Sequence, residues 1–192
     1  MQRLSTIALL IVTLAIVVAV ILWQLPTLSG NSKNPAAENP PEGRASTSAV
    51  IDRSADATLS HVAYVHDGDT LYLQPDGTTA RVDEITVRLI GIDTPELRPS
   101  VECFGIEARD YLRSLLPEGA AVWIKSDVET LDQYGRSLLY LWTEDGRSVN
   151  LDLVENGYAT ALRIAPSDTY WQQFDIAEEA ARRANAGLWG SC

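Results

Sequence analysis

VRLIGIDTPE, residues 87–96, runs as an apolar strand for six positions and then turns acidic through a Thr-Pro step that cannot continue a sheet. Arg88 stands among Val87, Leu89, Ile90 and Ile92, so both faces of a six-residue strand would otherwise be apolar. A guanidinium buried there costs several kcal/mol unless an anion meets it. An anionic partner for Arg88 is therefore expected.

Working outward, SHVAYVHDGDTLYLQPDGTTARV (60–82) alternates as two strands. Val62 and Tyr64, then Leu71 and Leu73, point one way; HDGD makes the tight turn between the strands and PDGT marks the next hairpin. The opening segment is the third strand. GIEARDYLRSLL (105–116) places Ala108, Tyr111, Leu112 and Leu115 at helical spacing and is closed by Pro117. AVWIKS and SLLYLWTEDG are two further strands. VNLDLVENG is a short helix ending at Gly157, and TYWQQFDIAEEAARRANAG a longer one, with a Thr169/Gln172 capping box and Gly187 as its stop. Five short, mostly antiparallel strands with a helix after the third predict an α+β domain. Its centre is a five-stranded OB-fold β-barrel with three helices.

Upstream of this domain the composition changes twice. Leu4 to Leu28 carries no charge, and Ile7 to Trp23 is apolar apart from Thr13, long enough for the ~20 residues that cross a bilayer. We read residues 4–25 as an uncleaved transmembrane signal anchor, with Arg3 holding the N-terminus in the cytoplasm and Trp23 at the interface. A cleaved signal peptide, with Ser29 offering a small residue to a peptidase, is the alternative, and it would leave the protein secreted. Residues 26–58, rich in Pro, Ser, Ala and Asn, read as a flexible linker, and the folded domain as 59–192, outside the cytoplasm. The only cysteines are Cys103 and Cys192, and an even pair in an oxidising compartment is most simply a disulfide. Residues 59–192 hold 22 acidic against 11 basic side chains, so this domain carries the whole net charge of −11. Lysine-rich, nonspecific nucleic-acid binding is not expected, and any contact with a polyphosphate must be local. Nothing beyond the anchor points to association, and a monomer is expected.

Taken singly, HDGDT (66–70), IDTPE (92–96) and QYGR (133–136) are turn formers and little more. Together, Asp69 and Asp93 could converge at the mouth of the barrel as hard oxygen ligands suited to Ca²⁺ or Mg²⁺. Zinc lacks ligands, because His61 and His66 are the only histidines and the cysteines are better paired. Scarce histidine also leaves a carboxylate as the general base, and Glu96 is the candidate. Arg88 and Arg136 supply two planar forks suited to the oxygens of one phosphate.

DGDT, VRLIGIDTPE, GIEA and DQYGRSLLYLW, followed by VNLDLVENGYA and GLW, resemble the staphylococcal nuclease (thermonuclease) family in order and spacing over roughly residues 59–190. The resemblance implies Asp69, Asp93 and the Thr94 carbonyl as Ca²⁺ ligands, and Arg88, Glu96 and Arg136 as catalytic residues. It implies Ca²⁺-dependent hydrolysis of DNA or RNA to 3′-phosphate ends; Tyr134 and Arg163 are the candidate substrate contacts. Two departures stand out. Gln133 replaces a lysine frequent in the family, and the nucleotide-flanking tyrosines fall at Arg163 and Ala165. These changes predict weaker substrate binding with strong salt dependence and leave the reaction centre untouched. The competing readings are a tethered noncatalytic OB-type module that binds nucleic acid or protein, and a barrel that holds Ca²⁺ for stability alone.

Overall fold

The computed structural model describes residues 49–77 and 83–192. Its strands are β1 (Thr58–Val65), β2 (Thr70–Pro75), β3 (Ile85–Leu89), β4 (Ile92–Asp93), β5 (Ala121–Lys125), β6 (Ser137–Thr143) and β7 (Thr160–Ala161). Its helices are α1 (Gly105–Leu115), α2 (Val149–Glu155), α3 (Trp171–Ala184) and a terminal turn, α4 (Leu188–Ser191). Five strands close a barrel in the order β1-β2-β3-β6-β5. All neighbours are antiparallel except β3 and β6, whose parallel pairing needs the crossover that α1 and β5 provide.

Alternation explains β3, over a shorter span than expected. Val87 and Leu89 are buried in the barrel, while Thr86 and Arg88 lie on the other face, opposite Tyr72 and Thr70 of β2. The strand stops at Leu89, because Gly91 adopts φ +81° and turns the chain. A Cβ on Gly91 would lie 2.3 Å from the Phe174 ring, so α3 packs directly on bare backbone there. Ile90 and Ile92 therefore do not share a strand face with Arg88. Ile92 and Asp93 instead start a separate two-stranded sheet, pairing with Ala161 and Thr160 of β7.

Other local expectations are corrected in the same way. The pairing of β1 with β2 shifts register between Val62 and Tyr64, so Tyr64 is 42% exposed and Val65 enters the core. The Thr169/Gln172 capping box does not form. The Thr169 amide and hydroxyl both donate to Asp127, and α3 begins at Trp171 with Tyr170 at its cap. It stops at Asn185, whose left-handed φ of 51° lets its N–H reach the carbonyls of Ala181 and Arg182 before Gly187 is reached.

Residues 49–57, expected as part of the linker, pack on the barrel. Ile51 is 5% exposed within the core, and its carbonyl accepts the Trp142 indole N–H at 3.1 Å. The Arg53 guanidinium lies 4.1 Å over Trp123, and Lys125 donates to Ser54 and Asp56. Ile51, the Arg53 guanidinium and the bonds from Trp142 and Lys125 dock a stretch whose average composition reads as solvated. The anchor expected over 4–25, and the linker up to residue 48, lie outside the described residues. No helix among the described residues is long and apolar enough to cross a membrane. At the other end Cys103 and Cys192 form a disulfide with Cα atoms 5.9 Å apart.

Candidate functional site

The partners of Arg88 come from three segments. Its side chain is 13% exposed; Nη1 donates to the carbonyls of Leu89 and Ile92 at 3.0 Å each and lies 3.1 Å from Asp69 Oδ2. Nη2 donates to Asp93 Oδ1 at 2.8 Å. Asp69 gets there through the β1–β2 turn, where Asp67 Oδ1 accepts the amides of Asp69 and Thr70. The turn is fastened to β3 by the Leu89 amide, which donates to the Asp69 carbonyl at 2.9 Å.

The Asp69 carboxylate is buried and heavily engaged. Oδ2 accepts the amide and hydroxyl of Thr94 at 3.0 and 2.9 Å, and Oδ1 accepts the Thr70 hydroxyl at 3.1 Å. Burial pushes its pKa up to about 6; the Arg88 charge opposes the rise and the Asp67 charge adds to it. Glu96 leaves the Thr-Pro turn into solvent. Partial burial and the charges of Asp67 and Asp93 raise its pKa, against Arg88. Its amide donates to Glu102 Oε2 at 2.9 Å.

A cleft of about 490 Å³ is lined by both Arg88 and Arg136. Leu131, Tyr134, Leu138, Leu162 and Ile164 form its apolar walls. Arg136 is held within its own turn: its Nε donates to Asp132 Oδ2 at 2.6 Å and its amide to Oδ1 at 2.9 Å. Burial pushes Asp132 up, but the hydrogen bonds from Arg136 and the Tyr134 amide outweigh it and hold the carboxyl below its usual range. Tyr134 is 77% exposed at the rim, with the Arg136 guanidinium 5.6 Å from its ring centroid.

Arg163 is not among the residues that line this cleft. Its Nε donates to Asp168 Oδ2 at 2.8 Å and its guanidinium sits 5.9 Å over Trp171, while its neighbours Leu162 and Ile164 line the cleft. The two aliphatic residues flanking Arg163, rather than its charge, reach the cleft. Their spacing of two puts them on one face of an extended segment, which is the signal that could have found them. Gln133 also lines the cleft, and Ala165 does not.

Among the described residues no group of three or more His, Cys, Asp or Glu side chains is placed to hold a metal ion. Two carboxylates do converge on one cation. Asp69 Oδ2 and Asp93 Oδ1 face the two terminal nitrogens of a single guanidinium. Their oxygens are the hard donors that Ca²⁺ or Mg²⁺ accepts, and either ion draws its remaining ligands from carbonyls and water.

The family profile described as staphylococcal nuclease homologue matches residues 86–191. Endonuclease YhcR of Bacillus subtilis (strain 168) is 35% identical over 162 residues, which are 78% of this chain and 12% of that protein's length. Thermonuclease of Staphylococcus intermedius is 34% identical over 131 residues, covering 67% of this chain and 74% of its own length. Thermonuclease of Staphylococcus hyicus is 30% identical over 195 residues, covering 100% of both chains.

Proposed function

The chain belongs to the staphylococcal nuclease family, and we propose that it is a Ca²⁺-dependent endonuclease that hydrolyses the phosphodiester bonds of DNA or RNA. The observation that carries this reading is the shared cleft. Arg88 and Arg136 both line it, and the Arg88 guanidinium is held by the two carboxylates that the family resemblance assigns to a metal.

Each residue has a role that its surroundings support. Arg88 and Arg136 donate to the non-bridging oxygens of one phosphate, where developing charge is worth most to a fixed donor in a partly dry cleft. Glu96 orients a water for in-line attack on phosphorus and takes its proton on a carboxylate oxygen; a raised pKa suits a base working near neutrality. The P–O5′ bond breaks, the leaving 5′ oxygen takes a proton from solvent, and the products end in 3′-phosphate and 5′-hydroxyl. Tyr134 at the rim and the aliphatic walls of Leu131, Leu162 and Ile164 hold sugar and base by apolar contact. Asp69, Asp93 and the Thr94 carbonyl are the residues that would hold Ca²⁺, and the chemistry gained from it is Lewis-acid stabilisation of phosphoryl charge. The apolar segment 4–25 tethers a monomeric domain outside the cytoplasm, a reading supported by the Cys103–Cys192 disulfide.

The test is hydrolysis of single-stranded DNA and of RNA by the full-length protein purified in detergent. Cleavage is expected with Ca²⁺ and not with EGTA, and Glu96→Gln is expected to slow it at least ~100-fold. Gel-shift binding in Ca²⁺ without any cleavage would replace the enzyme by a binding module.

A further inference from the structure

The loop that carries Glu96 is fastened at a point the catalytic reading does not use. Glu96 and Glu102 grip each other through two hydrogen bonds: the Glu96 amide donates to Glu102 Oε2 at 2.9 Å, and the Glu102 amide donates to the Glu96 carbonyl at 2.8 Å. The Glu102 carbonyl in turn accepts the Gly105 amide at 3.1 Å, joining the loop to the first residue of α1. Gly105 approaches so closely that a Cβ there would lie 2.9 Å from the Pro95 carbonyl oxygen and 3.0 Å from that of Glu96.

The residue after Glu102 is the disulfide-bonded Cys103. Its partner Cys192 ends α4, and the α4 entry residue Leu188 donates its amide to the Gly157 carbonyl at 2.8 Å. On the other branch the Phe104 ring stacks on Tyr158 at 5.4 Å, and Tyr158 stacks on Tyr111 of α1 at 4.0 Å. Both arms of the disulfide are thus docked on the corner that follows α2. Both cysteines are exposed, so a soluble dithiol can reach the bond.

We propose that Glu102 is a positioning residue for Glu96 and that the Cys103–Cys192 disulfide anchors it, so that reducing this disulfide lowers the turnover of the enzyme without altering its substrate contacts. The inference rests on the assignment of Glu96 to catalysis. A carboxylate acceptor on the Glu96 amide fixes the backbone from which the general base projects, and small displacements of a base cost rate rather than binding. In the redox step a dithiol gives two electrons and two protons; the S–S bond breaks, two thiols form, and the dithiol closes to its own disulfide.

The experiment uses full-length protein in detergent with Ca²⁺. It compares wild type, Glu102→Ala, Glu102→Gln and dithiothreitol-reduced wild type for kcat and KM on single-stranded DNA and for hydrogen exchange at the Glu96 amide. Glu102→Ala is expected to lower kcat about tenfold with KM within about twofold, and to speed Glu96 exchange at least about tenfold. Glu102→Gln is expected to stay within about threefold of wild type in both, because its side-chain oxygen accepts the same N–H. Reduction is expected to lower kcat about three- to fivefold at unchanged KM. Wild-type kcat in Glu102→Ala, or equal loss in the Ala and Gln variants, overturns the role of Glu102. Unchanged kcat on reduction overturns the role of the disulfide, whatever happens to thermal stability. A wild type that hydrolyses nothing defeats the nuclease reading instead, and unchanged Glu96 exchange in Glu102→Ala then removes the positioning contact on its own terms.

Discussion

Arg88 and Arg136 line one cleft and are held in opposite ways. Arg88, 13% exposed, is fixed from three segments by two carboxylates and two main-chain carbonyls. Arg136, 31% exposed, is fixed by one carboxylate four residues upstream in its own turn. Their partners differ as well: burial lifts Asp69 to about 6, whereas hydrogen bonds hold Asp132 below its usual range. One guanidinium therefore ties three segments together at the barrel mouth, and the other bonds within a single turn.

This difference can be broken most directly by removing each arginine. Arg88→Ala should lose at least ~100-fold in rate and also about 2–4 kcal/mol of stability, because it leaves a buried carboxylate without its cation. Arg136→Ala should lose a similar rate factor and less than about 1 kcal/mol, the usual worth of a partly exposed pair. Urea unfolding beside kinetics separates the two, and equal stability losses would erase the distinction.

The pH dependence of those losses sharpens it. Asp69 has a folded-state pKa of about 6 against an ordinary 3.8, so its contribution to stability is complete below 3.8 and lost as pH rises through about 6. Without Arg88 its pKa rises further. The deficit of Arg88→Ala should therefore be larger at pH 8 than at pH 5, where the carboxyl is protonated. Asp132 is shifted downward, so its contribution is present above 3.8 and lost only in acid. The deficit of Arg136→Ala should be the same at both pH values. The smallest effect belongs to Arg163→Ala, expected to change the rate by less than about twofold because that guanidinium is spent on Asp168 and Trp171.

What is legible in the sequence follows from how local each feature is. Arg88 asked for an anion, and IDTPE and DGDT supplied Asp93 and Asp69, since strand ends and Asx turns are written in adjacent residues. The barrel and its helices follow from periodicity for the same reason. What was missed depends on competition between residues that sequence order does not rank. Arg163 has an acid five residues on, and its Nε donates to Asp168 while its neighbours Leu162 and Ile164 line the cleft. Thr169 was captured by Asp127 before it could cap a helix. Gly91 cut β3 short so that Phe174, 83 residues later, could sit on it. Ile51 enters the core from a segment whose average composition hides it.

The most direct test of the account is the single-turnover cleavage rate of a 5′-labelled single-stranded oligonucleotide by full-length wild type and Arg88→Ala at saturating Ca²⁺. The account predicts fragments ending in 3′-phosphate from the wild type and a rate at least ~100-fold lower from the variant. Cleavage by Arg88→Ala at the wild-type rate would contradict it.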